Sequence, residues 1–198
     1  HPDWRLVYID EVATIFFRAD VAPGVPVLDL STDGERWLAD RRRAMGQPVP
    51  YAERRWYERL TPPNAYAGLG RLALALRSYG LARTWFEGAL QAYPPGFDHY
   101  GELAYVTMQA GDFTAATAYF EQAIARQPRR AELRKRAAEA WFRLSQYDRA
   151  AAELDVFFSL RDGDADALAL RGVIELRRQR YTDAAQWLTR AIELRPQA

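Results

Sequence analysis

The sequence predicts a mainly α protein. It reads as a right-handed α-α superhelix of four helical-hairpin units, preceded by a small N-terminal β-hairpin plus helix segment. Three observations predict this. Residues 1–62 hold six of the 34 Ala and six of the 11 Pro, so the Ala-rich remainder keeps Pro only at Pro63, Pro94, Pro95, Pro128 and Pro196. Proline lacks an N–H and clashes with the preceding turn, so Pro spaced about one helix pair apart marks the ends of helices. A 34-residue step then runs through residues 63–198 without a gap. Finally, residues 4–18 alternate and are rich in β-branched and aromatic side chains, which is a strand pattern.

The step sets the units at 63–96, 97–130, 131–164 and 165–198. Ala82, Ala116, Ala150 and Ala184 share one slot, and Tyr79, Phe113, Tyr147 and Tyr181 another. Phe86, Phe120, Leu154 and Leu188 follow, as do Leu90, Ile124, Phe158 and Ile192, and the small residues Gly70, Ala104, Ala138 and Gly172. Each unit carries two apolar stripes at helical spacing. In unit two, helix A is expected near 97–110 with Tyr100, Leu103, Ala104 and Thr107 on one face. Gly111-Asp112 breaks it, and helix B runs near 113–126 with Phe113, Ala116, Phe120, Ala123 and Ile124 inward. One pair cannot bury its own apolar face, so neighbouring pairs stack.

Tyr66, Leu69, Gly70, Ala82, Phe86, Ala89 and Pro94 spell a motif that resembles the tetratricopeptide repeat, or TPR. The resemblance covers 136 residues, and four in-register copies make it specific for fold and unspecific for function. Arg171 stands where Leu is usual, Phe157 where Ala is usual and Asp162 where Pro is usual.

Residues 1–30 are a β-hairpin and an extended connector, expected to be a fragment of an upstream α/β domain. Trp4, Leu6 and Tyr8 alternate with Arg5, Val7 and Ile9, Asp10-Glu11 is the turn, and Val12 to Phe17 the second strand. Ala22 to Leu30 is the connector. Residues 31–62 form a helical linker: a helix from Thr32 or Asp33 to Met45, stopped by Gly46 and Pro48, then a short amphipathic helix over 51–60. Tyr51, Trp56, Tyr57 and Leu60 of that second helix are expected to seal unit one. Trp4, Val7, Tyr8, Asp10, Ala13, Phe16 and Arg18 also resemble the tail of the extracytoplasmic domain in bacterial polytopic membrane proteins similar to lipid-linked-sugar glycosyltransferases. That resemblance implies an accessory, catalytically silent domain on the periplasmic side. Without it the expected compartment is cytoplasmic.

Composition excludes several chemistries. With no Cys there is no disulfide, thiolate metal site or cysteine nucleophile, and His1 and His99 are the only His. No cofactor is expected. Net charge +1 gives no global footprint for nucleic acid. The longest apolar run, Val12 to Phe17, falls far short of the ~20 residues that span a bilayer. The chain starts at His1 rather than Met and is expected to be a fragment or processed form.

The local motifs have plainer readings than their chemistry suggests. Gly68-Leu69-Gly70-Arg71-Leu72-Ala73 spells G-x-G-x-x-A, but falls inside helix A of unit one without the strand a dinucleotide fingerprint needs. Asp162-Gly163-Asp164-Ala165-Asp166 opens like a calcium loop, but Ala167 and Val173 occupy the places of the required Gly and Glu. An inter-repeat turn with acids at a helix N-terminus accounts for it. His99, with Asp98 and Glu102 nearby, reads as a solvated surface His rather than a weak metal site. Ser31, Ser78, Ser145 and Ser159 fall at turns or helix ends, so no catalytic triad is indicated.

The expected functional surface is the groove, and the chain is expected to be a non-enzymatic scaffold for a protein or peptide partner. Arg126, Arg129, Arg130, Arg134, Lys135, Arg136 and Arg143 crowd the junction of units two and three. They are a solvated face paired with Glu132 and Glu139 at helical spacing, a grip for an acidic partner peptide or, with least weight, a contact for nucleic acid or a lipid headgroup. The TPR resemblance implies a concave wall from fixed helix A positions. These are Asn64 and Arg71; Asp98, Glu102, Tyr105, Met108 and Gln109; Lys135, Arg136, Glu139, Phe142 and Arg143; and Val173, Leu176 and Arg177. Ala67 and Arg71 stand where the Lys and Asn of a carboxylate-binding TPR would begin, so that ligand is not expected. At the far end, Trp187 and Leu194 are expected to form an exposed apolar patch covered by a neighbouring chain or partner.

Overall fold

A computed structural model describes residues 4–9, 14–18, 33–45, 50–53, 55, 65–92 and 99–195. The chain divides into two bodies, residues 1–99 and 100–198. Helices dominate both, and the helix pairs repeat at the step read from the sequence.

In the first body, β1 (Trp4–Ile9) pairs antiparallel with β2 (Thr14–Arg18). Trp4 lies opposite Arg18 and Leu6 opposite Phe16, and the register slips between Leu6 and Tyr8. Helix α1 (Gly34–Met45) follows Asp33, whose carbonyl accepts from the Trp37 N–H at 2.9 Å. Of the helix expected over 51–60, Tyr51–Glu53 forms one 3-10 turn. Arg54, Trp56, Tyr57 and Leu60 lie outside the described residues, as do the connector and the stop at Gly46 and Pro48.

Helices α2 (Ala65–Ala75) and α3 (Tyr79–Ala92) make the first hairpin. Tyr66, Leu69, Trp85 and Phe86 are buried between them. A Cβ at Gly70 would come to 3.0 Å from the Phe86 ring, so any larger residue there would need that ring to shift by a few tenths of an ångström. Helix α1 touches both helices and buries Leu38 completely. The Arg42 guanidinium lies 5.9 Å from the Tyr66 ring and 5.7 Å from the Trp85 ring, and the Ser78 hydroxyl donates to Glu35. The cover that unit one shows among the described residues therefore comes from α1.

The second body holds three hairpins: α4 (Tyr100–Gln109) with α5 (Phe113–Arg126), α6 (Ala131–Arg143) with α7 (Tyr147–Leu160), and α8 (Ala165–Arg177) with α9 (Tyr181–Leu194). The second helices α3, α5, α7 and α9 start 34 residues apart and have equal length. Ala82, Ala116, Ala150 and Ala184 have no exposed surface, which a close helix crossing demands. Phe120, Ile124, Leu133 and Ala137 pack in one cluster; Trp141, Leu154, Phe157 and Ile174 pack in the next.

Every hairpin turns the same way. Arg77, Gly111, Ser145 and Gln179 all take left-handed backbone, with φ of 58°, 85°, 59° and 62°. The next N–H in each, from Ser78, Asp112, Gln146 and Arg180, reaches back to Ala73, Thr107, Trp141 and Glu175 carbonyls at 2.9–3.1 Å. This is the Schellman closure, which satisfies carbonyls left orphaned at a helix end. Only the second turn uses Gly; the repeat geometry holds three other residue types in the same conformation.

Candidate functional site

Helices α4, α6 and α8 are the first helices of three successive hairpins, and α6 touches both α4 and α8. Side chains on that shared wall come from the helix A positions of the repeat. Between them lies a cavity of about 480 Å³, lined by Met108, Gln109, Gly111, Phe113, Glu139, Phe142, Arg143 and Leu170. This is within the ~300–1,000 Å³ range of sites that hold small molecules or peptide side chains. Met108, Gln109, Glu139, Phe142 and Arg143 were expected in the groove from sequence. Phe113 and Leu170 were not: Phe113 was assigned inward on helix B, and Leu170 lay outside the mapped positions.

 That slot holds Gly68, Glu102 and Arg136 in the earlier units, so the apolar Leu170 has no counterpart to announce it.

Two of the basic residues expected to line this wall, Lys135 and Arg136, are paired with acids within the fold. Lys135 Nζ meets Asp164 at 2.9 Å and Glu132 at 3.5 Å, and Arg136 meets Glu132 at 3.1 Å while its guanidinium lies 4.6 Å from the Tyr105 ring. Arg134 meets Glu153 at 2.8 Å, and Arg126 lies 4.4 Å from the Tyr100 ring. Arg143 rests 4.8 Å from the Phe113 ring and pairs with no carboxylate among the described residues.

Glu139 is the reverse case. Pairing of this acid with the basic cluster was one expectation, and the structure corrects it: among the described residues none donates a hydrogen bond to Glu139 or lies within ion-pair distance. The neighbouring cations are held by Glu132 and Asp164 instead. Burial raises the Glu139 carboxyl above its usual value, and the charges of Arg136 and Lys135 pull it down without cancelling that. For Lys135, burial lowers the pKa, but the Asp164 hydrogen bond and the charges of Glu132 and Asp164 outweigh it and leave it raised. For Asp164, burial pushes up, yet the Ala167 N–H and Lys135 hold it below the usual range.

The other expected groove residues are more scattered. Glu102 and Val173 are half-buried, Arg177 is exposed, and Leu176 is 42% exposed. Arg71 is exposed on α2, in the first body. Asn64 and Asp98 lie outside the described residues.

The competing motifs resolve into structure. Gly68 to Ala73 lie inside α2. Asp164 caps α8 by accepting from the Ala167 N–H at 2.9 Å, with Gly163 in left-handed backbone before it. No group of three or more His, Cys, Asp or Glu among the described residues is placed to hold a metal ion. His99 is corrected: it is buried, 8% exposed, with its ring 6.2 Å from that of Phe86. Trp187 is corrected as well. It stacks on Phe158 at 5.3 Å and 12°, and Arg171 and Arg190 approach its ring at 5.6 and 5.2 Å. Leu194 is 48% exposed, and Tyr181 and Ile192 are each 66% exposed.

Sequence reasoning also missed Glu175. It is 1% exposed and sits one turn beyond Arg171, which meets it through Nε at 3.1 Å; Arg178 meets it at 2.9 Å. Arg171 also pairs with Asp155 at 2.9 Å and donates to the Ala151 carbonyl. The two slots hold Leu103 and Thr107 in unit two, and Ala137 and Trp141 in unit three. An acid four residues after the misplaced Arg was the available signal.

Comparison with known proteins decides the family. Tetratricopeptide repeat models match residues 52–97, 107–174 and 154–198. The chain belongs to the tetratricopeptide repeat family. Solved TPR structures share its fold. YrrB, described as a TPR protein with an unusual peptide-binding site, is 24% identical with a TM-score of 0.64, covering 68% of this chain and 69% of that one. A MamA RS-1 double mutant is 17% identical with a TM-score of 0.67, covering 84% and 85%. MamA from residue 41 to its end, from Desulfovibrio magneticus RS-1, is 19% identical with a TM-score of 0.65, covering 86% and 99%. No curated protein matches the chain in sequence. The TPR models begin at residue 52, so the resemblance of residues 4–18 to a glycosyltransferase-like tail gains no support from them. No described helix is long and apolar enough to cross a membrane.

Proposed function

We propose that this TPR chain is a non-enzymatic scaffold that holds a peptide segment of a partner protein in the groove of α4, α6 and α8. The observation that carries this is the cavity itself. It is formed by three successive repeats and walled by Met108, Phe113, Phe142 and Leu170, with a few polar groups at its rim. Adaptable Met and rigid aromatics beside unpaired charge are the composition of a recognition surface. The peptide-binding site described for YrrB, a protein of the same fold, agrees with this reading. Glu102, Tyr105, Gln109, Lys135, Arg136, Glu139, Phe142, Arg143 and Arg177 are the residues assigned to the wall.

The test is selection of peptides from a random display library on the whole chain, followed by binding to Phe142→Ala and to Arg190→Glu. Phe142→Ala should weaken the selected peptides at least ~10-fold, as loss of a buried aromatic anchor does. Arg190→Glu, on the second helix of unit four, should leave them unchanged. Equal binding to wild type and Phe142→Ala would place the interaction elsewhere.

A further inference from the structure

Glu139 is the one carboxylate among the described residues that line the cavity, and it bears on what the cavity can hold. This inference rests on the groove reading above and specifies what the groove accepts. Glu139 is half-buried on α6 among Met108, Phe142 and Leu170. A carboxylate removed from water without a compensating partner is costly. The surrounding fold does not supply that partner, since Lys135 is bound to Asp164 and Arg136 to Glu132. The other charged group of the lining, Arg143, is exposed and lies over Phe113.

We propose that the cavity takes a Lys or Arg side chain of the partner peptide, its aliphatic stem on Met108, Phe142 and Leu170 and its cationic head on the Glu139 carboxylate. Long basic side chains pair an apolar stem with a charged tip, which matches this lining of apolar walls and one acid. An acidic side chain would bring a second carboxylate into a half-buried site and raise its cost. A purely apolar one would bury Glu139 further and leave it unpaired. The choice reverses the acidic partner expected from the Arg-rich sequence, because Arg134, Lys135 and Arg136 already have carboxylate partners and Glu139 has no cation within ion-pair distance among the described residues. The raised carboxyl of Glu139 fits an acid waiting for a cation.

The test uses three labelled Gly/Ser peptides that carry a central Leu-Lys-Leu, Leu-Glu-Leu or Leu-Gln-Leu. Binding to the whole chain is read by fluorescence anisotropy. The Lys peptide should bind about ten-fold tighter than the Glu peptide, which is about 1.4 kcal/mol. Glu139→Gln should erase that preference, while Phe142→Ala weakens all three together. Tighter binding of the Glu peptide, or a Lys preference that survives Glu139→Gln, overturns the proposal and leaves the groove reading standing. Equal binding of the three peptides that still falls with Phe142→Ala does the same. Failure of all three to bind at millimolar concentration overturns both.

Discussion

The pair Arg171 and Glu175 offers a sharp test of how unit four is held together. Both occupy slots that the TPR motif gives to apolar residues, and both are buried: Arg171 is 9% exposed and Glu175 1%. Glu175 meets Arg171 at 3.1 Å and Arg178 at 2.9 Å, with Arg180 at 3.9 Å. Replacing Glu175 alone with Leu strands the Arg171 guanidinium, whose remaining acid, Asp155, has 59% of its side chain exposed and is weakened by water. Removing one partner of a buried pair costs about 3–5 kcal/mol. Placing Leu at both positions, Arg171→Leu with Glu175→Leu, removes the desolvation of both charges and should be neutral or stabilising by up to ~4 kcal/mol. Arg178 and the Ala151 carbonyl lose a partner in that variant, which sets the gain toward the lower end. Urea unfolding followed by circular dichroism gives the cycle, with an unchanged denaturant slope showing that the transition stays comparable. Additive effects of the two single replacements would refute the claim that the two charges form one unit.

Three further predictions follow from the packing and the charges. Ala116→Leu should overpack the crossing of α4 and α5, where Ala116 has no exposed surface, and cost about 1–3 kcal/mol; the thermal midpoint reports it. Asp164→Ala should remove the α8 cap and the Lys135 partner, costing about 1–2 kcal/mol near neutral pH. Asp164 has a depressed carboxyl, so its contribution is present above 3.8 and is lost as pH falls through the folded value; the deficit of the variant in urea titrations should shrink there. Glu139 has the opposite sign. Its folded carboxyl keeps a proton to higher pH than the unfolded one, so the fold loses stability as pH rises from 4.5 through the raised value. Glu139→Gln should therefore gain on wild type across that window and hold a constant lead above it, whereas equal pH profiles would contradict the unpartnered carboxylate.

The repeat was legible because it depends on small and aromatic residues at a fixed step. Ala116 must be small wherever two helices cross, and Phe113 begins a helix as Tyr79, Tyr147 and Tyr181 do. Burial at these slots is set locally by the hairpin, so sequence spacing carries it. The charges were not legible in the same way. Lys135 finds Asp164 and Arg134 finds Glu153 across helices, 29 and 19 residues away, and no local pattern announces either. The basic cluster was visible, but the pairing of Arg134, Lys135 and Arg136 with acids was not, and so Glu139 was grouped with partners it does not have. Trp187 shows the same limit. Its helical face was readable, while the Phe158 ring stacked on it belongs to the preceding hairpin. Arg171 stood out as a misfit, and only the three-dimensional packing makes Glu175 its counterpart.

The central claim is that α4, α6 and α8 form the binding wall. Hydrogen exchange of the whole chain, with and without a display-selected peptide, tests it most directly. Slowed exchange is predicted at the ends of α4 and α6, around residues 108–113 and 139–143, and near Leu170 on α8. Protection confined to α9, where Tyr181, Ile192 and Leu194 are exposed, would contradict it.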